Sequence, residues 1–457
     1  MRRSLSTACC LLFTVTLLFA CSPADRMPPP HQVITHPDGR LYAGDLVSFE
    51  ILLPADDQNA RGPVTVSLGD QVLGQAGFGP YGIEGRVQAT LWWIWDTSGL
   101  EPGVYTLDFE VEGGETWEER YRLRPADRVP PPEPEAHWAE AASECCTVVY
   151  ITGTAAERDL GTLLTMVDEQ AESVETIMQA EFGGSVNVVF LPRLLGQGGF
   201  ATETVYVSYL DENYSAGSTG IIVHHELTHL LDFRLGGEYR PTILIEGLAV
   251  YASGGHYKPE ALGPRAAALL ESGWYLPLAT LADDFHHQQH EVGYVEAGAL
   301  VEYLVATYGR EAFDDFYRHI PPPDDQTPSV VLDRALQDHF ETTLANLEED
   351  FIAYLRGQTV TDEVRADMRL TIRLYDAMRS YQALFDPSAF FRTAWLPDGP
   401  TMRQRGIVAD YLRHPQGWRN NLLESLLMDA GRALQDGEYE RVERDLQWIE
   451  RLIEFLT

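Results

Sequence analysis

The window STGIIVHHELTHLLDFRLGG (218–237) holds residues whose types and spacing suit a metal. His225, Glu226 and His229 form an H-E-x-x-H pattern among Ile221, Ile222, Leu227, Leu230, Leu231 and Phe233. The apolar surround predicts a buried helix, with Ser218 or Thr219 to cap its start and Gly236-Gly237 to end it. Four residues apart, His225 and His229 share one helix face, one turn from each other. Both imidazoles can then reach a single ion at about 2.0–2.1 Å. Glu226 is rotated from His225 by about 100°. It is too close in sequence to be the third ligand, but well placed to hydrogen-bond a water on the metal. Downstream, PTILIEGLAVY (241–251) predicts a second helix with Pro241 in its first turn. Glu246 falls about one turn in, where a carboxylate among apolar residues is costly unless paired or metal-bound. Alone, H-E-x-x-H could be an ordinary buried helix face; Glu246 turns the reading to a metal. Two histidines and one glutamate, with a fourth position open to water, are a catalytic zinc set. The residues therefore predict one Zn2+ per chain on His225, His229 and Glu246.

HELTH followed by P-x-x-L-x-E-G-L-A-x-Y resembles the gluzincin metallopeptidases, and most closely the peptidase MA-like family related to aminopeptidase N and thermolysin. The resemblance spans about 145–356. It takes in VNVVFLP (186–192), YVEAGALVEYLVATYG (294–309) and, more weakly, ALQDHFETTLANLEEDFIAYL (335–355). It implies a zincin fold with a mixed sheet lobe, zinc on His225, His229 and Glu246, Glu226 as general base, and a peptide or protein substrate. In the aminopeptidase branch a tyrosine steadies the oxyanion, and Tyr294 is the nearest match, with Gly298 four residues on rather than three. His290 is the reserve donor. Aminopeptidases also carry a G-x-M-E-N strand whose glutamate grips the free amine. GGFATETVYVSYL (198–210) lacks it, with Glu203 as the substitute. The strand 203–210 is expected to pair with an extended peptide. Asp232, three residues after His229, is either a partner supporting a ligand or solvated, and His224 points away from His225. Residues 283–290 (DDFHHQQH) read as a polar loop by the cleft.

The elements that must position these groups follow a multidomain α+β plan. Residues 1–21 (MRRSLSTACCLLFTVTLLFAC) have two arginines and an apolar stretch from Ala8 to Ala20, too short to cross a bilayer, which takes about 20 residues. Leu18-Phe19-Ala20-Cys21 resembles a bacterial lipobox, which implies a lipidated Cys21 and anchorage to the outer face of a membrane, or secretion if Cys21 carries no lipid. Residues 22–31 are a Pro-rich tether. Short alternating strands over 32–124 read as an immunoglobulin-like β-sandwich, expected to fold separately beyond the Pro-rich linker 125–136. Residues 137–357 read as the zincin domain, with a mixed lobe of strands at 146–152, 186–192 and 203–210 and a helix over 155–181. Helical spacing recurs at 297–308, 329–355, 362–385 and 438–456, and the tail 358–457 shows no chemistry. Once Cys9, Cys10 and Cys21 are set aside, only the adjacent Cys145 and Cys146 remain. Neighbours rarely bridge, so the pair reads as strand filler.

With 33 Lys+Arg against 69 Asp+Glu, the net charge is −36. Such a chain repels phosphate backbones, which excludes nucleic acid as the expected partner. It also disfavours electrostatic adhesion to anionic lipid. Two other functions share these features: a zincin-fold hydrolase acting on a non-peptide substrate, and a non-catalytic surface-binding lipoprotein. An intact base, Glu226, beside the ligands argues against the second.

Overall fold

Alternating apolar residues fold the N-terminal segment into two sheets. The computed structural model describes residues 32–53, 62–193, 198–210, 213–215, 217–395 and 399–457. The signal region with Cys21 and the tether 22–31 lie outside the described residues. The strands are β1 (Gln32–His36), β2 (Leu41–Tyr42), β3 (Leu46–Leu52), β4 (Val64–Leu68), β5 (Gln71–Ala76), β6 (Gly79–Tyr81), β7 (Arg86–Asp96), β8 (Gly103–Val111) and β9 (Thr116–Arg124). They pair in the orders β1-β3-β7-β6 and β2-β9-β8-β4-β5. Phe49, Ile51, Leu91 and Trp95 from the first sheet meet Val66, Leu107, Phe109 and Leu123 from the second in one core. This is the period-two signature of a sandwich.

The linker does not hang free. Glu133 pairs with Arg413, which also binds both oxygens of Asp45 in the sandwich (2.6 and 2.8 Å). His36 stacks on Trp395 (3.7 Å), and Trp93 Nε1 donates to Asp410 (3.3 Å). The sandwich is thus docked on the C-terminal tail.

The second unit opens with β10 (Trp138–Ala142), β11 (Cys146–Ile151), α1 (Ala155–Arg158), α2 (Leu160–Met178), β12 (Val186–Leu191), β13 (Gly199–Ala201) and β14 (Val205–Ser208). The sheet order is β10-β11-β12-β14-β13, parallel across β11, β12 and β14 and antiparallel at both edges. Its central strands are apolar on both faces, as a doubly covered sheet requires. Val148, Val188, Phe190 and Val207 face the helical core, while Val149, Ile151, Val189 and Leu191 face Met402, Ile407 and Tyr411 of the tail. The expected peptide-pairing strand is therefore corrected. β14 lies inside the sheet with both neighbours in place, and the edge strand is β13.

Helices follow: α3 (Thr219–Leu235), α4 (Thr242–Ser253), α5 (Leu262–Glu271), α6 (Leu278–Asp283), α7 (His290–Tyr308), α8 (Arg310–Arg318), α9 (Pro328–Phe340), α10 (Leu344–Arg356), α11 (Asp362–Phe385), α12 (Gly399–Arg405), α13 (Ala409–Leu412), α14 (Trp418–Gln435) and α15 (Tyr439–Leu456). The helix expected over 329–355 is two, broken where Glu341 turns to positive φ (54°). α7 starts seven residues earlier than 297, so its first residue, His290, is the last of the expected polar loop. No described helix is long and apolar enough to cross a membrane.

Cys145 and Cys146 are joined as a disulfide, which overturns the expectation that neighbours stay apart. Only Cys146 belongs to β11; Cys145 sits in the preceding bend, its N–H held by Asp168 (2.9 Å). The alternation that would point the two side chains to opposite faces has not yet begun there.

Candidate metal centre and cleft

α3 runs buried through the unit, with Gly236 at its end in positive φ (75°), the conformation glycine tolerates. α4 starts after Pro241 and lies across it. Here Gly247 matters: a Cβ at that position would meet the Ala297 carbonyl oxygen of α7 at 2.5 Å. The reciprocal contact is Gly298, whose Cβ would meet Val250 at 2.5 Å. Gly247 lets α4 approach the α7 backbone and Gly298 makes room for the Val250 side chain, so the close packing of the two helices fixes Glu246 and Tyr294 relative to each other.

His225, His229 and Glu246 converge. Their donor atoms form a near-equilateral triangle. The two Nε2 atoms are 3.0 Å apart, and each is 3.3 Å from Glu246 Oε2. Tetrahedral donors at about 2.0–2.1 Å from one ion stand about 3.3 Å from each other. Donor types and spacing therefore fit zinc.

Electrostatics match that arrangement. Burial pushes the His225 imidazole down to about 4. Burial also opposes charge on His229, but the carboxylates of Glu246 and Glu226 outweigh it and lift the ring to about 9. Glu246 is buried too, yet His229 and the bonds from both rings hold it well below the usual carboxylate range. Glu226 has no such partner set. Burial first, and then the Glu246 charge, raise it to about 8 against the pull of His229.

Gly199 of β13 lies against Glu226. A Cβ there would stand 2.8 Å from Glu226 Cγ, 2.9 Å from Ile222 and 2.9 Å from the Tyr206 carbonyl oxygen. The sheet edge thus passes directly over the carboxylate.

Glu226 and His225 open on a cleft with a cavity volume of about 80 Å³. Its walls include Gly198, Gly199, His256, His290, Tyr294, Tyr375, Arg379 and Phe391. Tyr294 sits inside α7 rather than before it, with its ring 6.2 Å from that of His225. Burial, with the Glu246 and Glu226 charges, raises its phenol well above the ordinary value, so it stays a donor. His290 opens α7 and packs on Tyr294 (4.6 Å).

Three expectations change. Asp232 is neither solvated nor given over to a ligand: it binds Arg240 (2.8 Å), Arg318 (2.6 Å) and Tyr317 (2.9 Å). Glu203 is exposed in the turn between β13 and β14, away from the cleft walls. The tail does carry cleft residues: α11 supplies Tyr375 and Arg379, and Phe391 follows. His224, as expected, faces elsewhere and bonds Gln170 (3.0 Å).

His256 was not legible in the sequence. It follows the end of α4, stacks on Tyr294 (4.3 Å), and its Nδ1 lies 2.6 Å from Glu291, a fully buried carboxylate. No local spacing links it to the site. Tyr375 and Arg379 had one faint signal, two polar side chains four apart on a helix face that is otherwise core.

No family model matches the chain, and no curated protein matches it by sequence. Among solved structures it is similar to a mutant two-domain M1 zinc metallopeptidase bound to L-tryptophan. That match has 12% identity, covers 72% of this chain and 94% of the other, and gives a TM-score of 0.29. A mutant M1 zinc metallopeptidase from Deinococcus radiodurans gives 12% identity, the same coverages and a TM-score of 0.30. An aminopeptidase N family protein from Idiomarina loihiensis gives 10% identity over 80% and 77% of the two chains, with a TM-score of 0.26.

Proposed function

We propose that this chain is a zinc-dependent peptide-bond hydrolase of the bacterial cell surface, exported by its N-terminal signal and anchored through a lipid on Cys21. The observation that carries the catalytic reading is the triangle of His225, His229 and Glu246 donors at 3.0–3.3 Å, with the buried Glu226 carboxylate beside it.

Zinc held by those three residues would supply a Lewis acid that polarises the scissile carbonyl and acidifies a water. Glu226 accepts the proton of the attacking water and delivers it to the leaving nitrogen. A bound cation beside it would favour the ionised carboxylate that must accept that proton. Tyr294 donates its phenolic hydrogen to the carbonyl oxygen as that atom gains charge. Among the described strands β13 ends the sheet and offers backbone groups to an extended peptide, and Gly199 lets β13 lie close over Glu226. The sandwich, read as immunoglobulin-like, spaces the cleft from the membrane or binds a partner.

Metal analysis of the purified soluble form and a peptide-library digest test this. One zinc per chain and cleavage abolished by chelation are expected. Stoichiometric zinc without any cleaved peptide would reject the peptidase reading in favour of another hydrolase. A Cys21→Ser variant tests the anchor: it should leave the membrane fraction, and a native mature N-terminus other than Cys21 would refute lipidation.

A further inference from the structure

The hydrolase reading leaves open which end of a peptide the cleft holds. One residue of the cleft wall bears on this. Among the described residues that line the cleft, Arg379 is the one arginine or lysine. The carboxylates at the site, Glu226 and Glu246, are already assigned to base and ligand. Among the described lining residues, none is left to grip a substrate ammonium, and Glu203 stands away in an exposed turn.

Arg379 is also held in place. It shares a face of α11 with Tyr375, one turn away. Its guanidinium lies 4.4 Å above the Phe391 ring and 5.9 Å from that of Tyr375, and Nη1 donates to Gln382 (2.8 Å). The flanking rings and the bond to Gln382 hold the guanidinium at the cleft wall, and a guanidinium is the group suited to bidentate recognition of a carboxylate. α11 itself is clamped to the catalytic unit three turns earlier. There Asp367 binds Lys258 and Arg265, the latter at 2.5 Å. Burial lowers Arg379 to about 10, so it remains a cation at neutral pH. In a chain of net charge −36, an anionic substrate group needs such a local cation to approach.

We propose that Arg379 is the specificity-determining residue of the cleft, binding the free C-terminal carboxylate of the substrate, so that the enzyme acts on short peptides or at carboxyl ends. This rests on the hydrolase reading for its chemistry, but the binding step can be tested apart from it.

The experiment uses peptides in matched free-acid and C-terminal amide forms. The zinc-loaded full chain should cleave the acid about 10- to 100-fold better in kcat/KM, the range of a charge-assisted bidentate pair. Arg379→Gln should erase that preference mainly through KM, and Arg379→Lys should restore part of it. In parallel, calorimetry on zinc-loaded Glu226→Gln protein should detect binding of a dipeptide but not of its amide. Equal cleavage of acid and amide by the unaltered enzyme would overturn the proposal while leaving the hydrolase reading intact, whatever the folding of the variants. Cleavage of no peptide at all would reject the peptidase reading. Calorimetry then decides Arg379 alone: equal binding of acid and amide overturns it, and selective binding of the acid supports it.

Discussion

Gly199→Ala adds one methyl group where the backbone of β13 crosses Glu226. The new carbon would stand 2.8 Å from Glu226 Cγ, 2.9 Å from Ile222 and 2.9 Å from the Tyr206 carbonyl oxygen. Ordinary carbon contacts are about 3.5–4.0 Å, so the two carbon pairs are short by about 0.6–1.2 Å. The Tyr206 oxygen belongs to β14, which is bonded on both sides and cannot yield. Either β13 lifts away or Glu226 is displaced. Overpacking of this kind costs about 1–3 kcal/mol of stability. A shift of about 1 Å at a catalytic group costs about 100-fold in rate. Zinc should remain, since none of its three ligands is touched. The assay is kcat/KM on the best library peptide, with metal content and thermal unfolding on the same preparation. Unchanged activity at an unchanged Tm would show that β13 does not abut Glu226, and the substrate-edge reasoning would fall with it.

Glu226→Gln should keep near-stoichiometric zinc while losing about 100- to 10,000-fold in rate, whereas Glu246→Ala should lose zinc affinity outright; equal zinc in both would remove Glu246 as a ligand. Zinc binding should release at least one proton between about pH 4 and pH 9, because His225 is already neutral there while the charged His229 must lose its proton. Apparent affinity then rises with pH across that window, and calorimetry in buffers of different ionisation enthalpy that finds no proton release would contradict the site electrostatics. Arg413→Ala strands the buried Asp45 and Glu133 carboxylates between sandwich, linker and tail; a loss of about 3–5 kcal/mol is expected, read as a lowered unfolding midpoint, and an unchanged midpoint would mean that the docking contributes nothing.

The convergence of His225, His229 and Glu246 was legible because its signal is local. Two histidines four apart on a helix share a face whatever surrounds them, and a glutamate in an apolar run needs a compensating partner wherever that run packs. The same holds for the sandwich: period-two alternation survives any arrangement of the sheets. Boundaries held less well. α7 begins at His290 because Gln289 accepts a bond from the Val292 N–H, a cap whose strength lies in geometry rather than residue type. The disulfide escaped for a similar reason, since the bend before β11 depends on Asp168 from α2.

By itself, the sequence determined that His225, His229 and Glu246 could meet and which described segments would be strand or helix, all consequences of backbone periodicity and side-chain chemistry within about thirty residues. Only the tertiary structure decided what stands opposite them. Strand order put β13 rather than β14 at the edge over Glu226, because hydrogen-bond pairing is settled between segments and not within one. It brought His256 against Tyr294, with Glu291 behind it. It also folded a tail without chemistry of its own back over the site, so that Tyr375 and Arg379 of α11 close the cleft. Those contacts join residues as far apart as Gly199 and Arg379, 180 positions along the chain. They are fixed by which apolar faces cover one another, and no spacing along the chain encodes that.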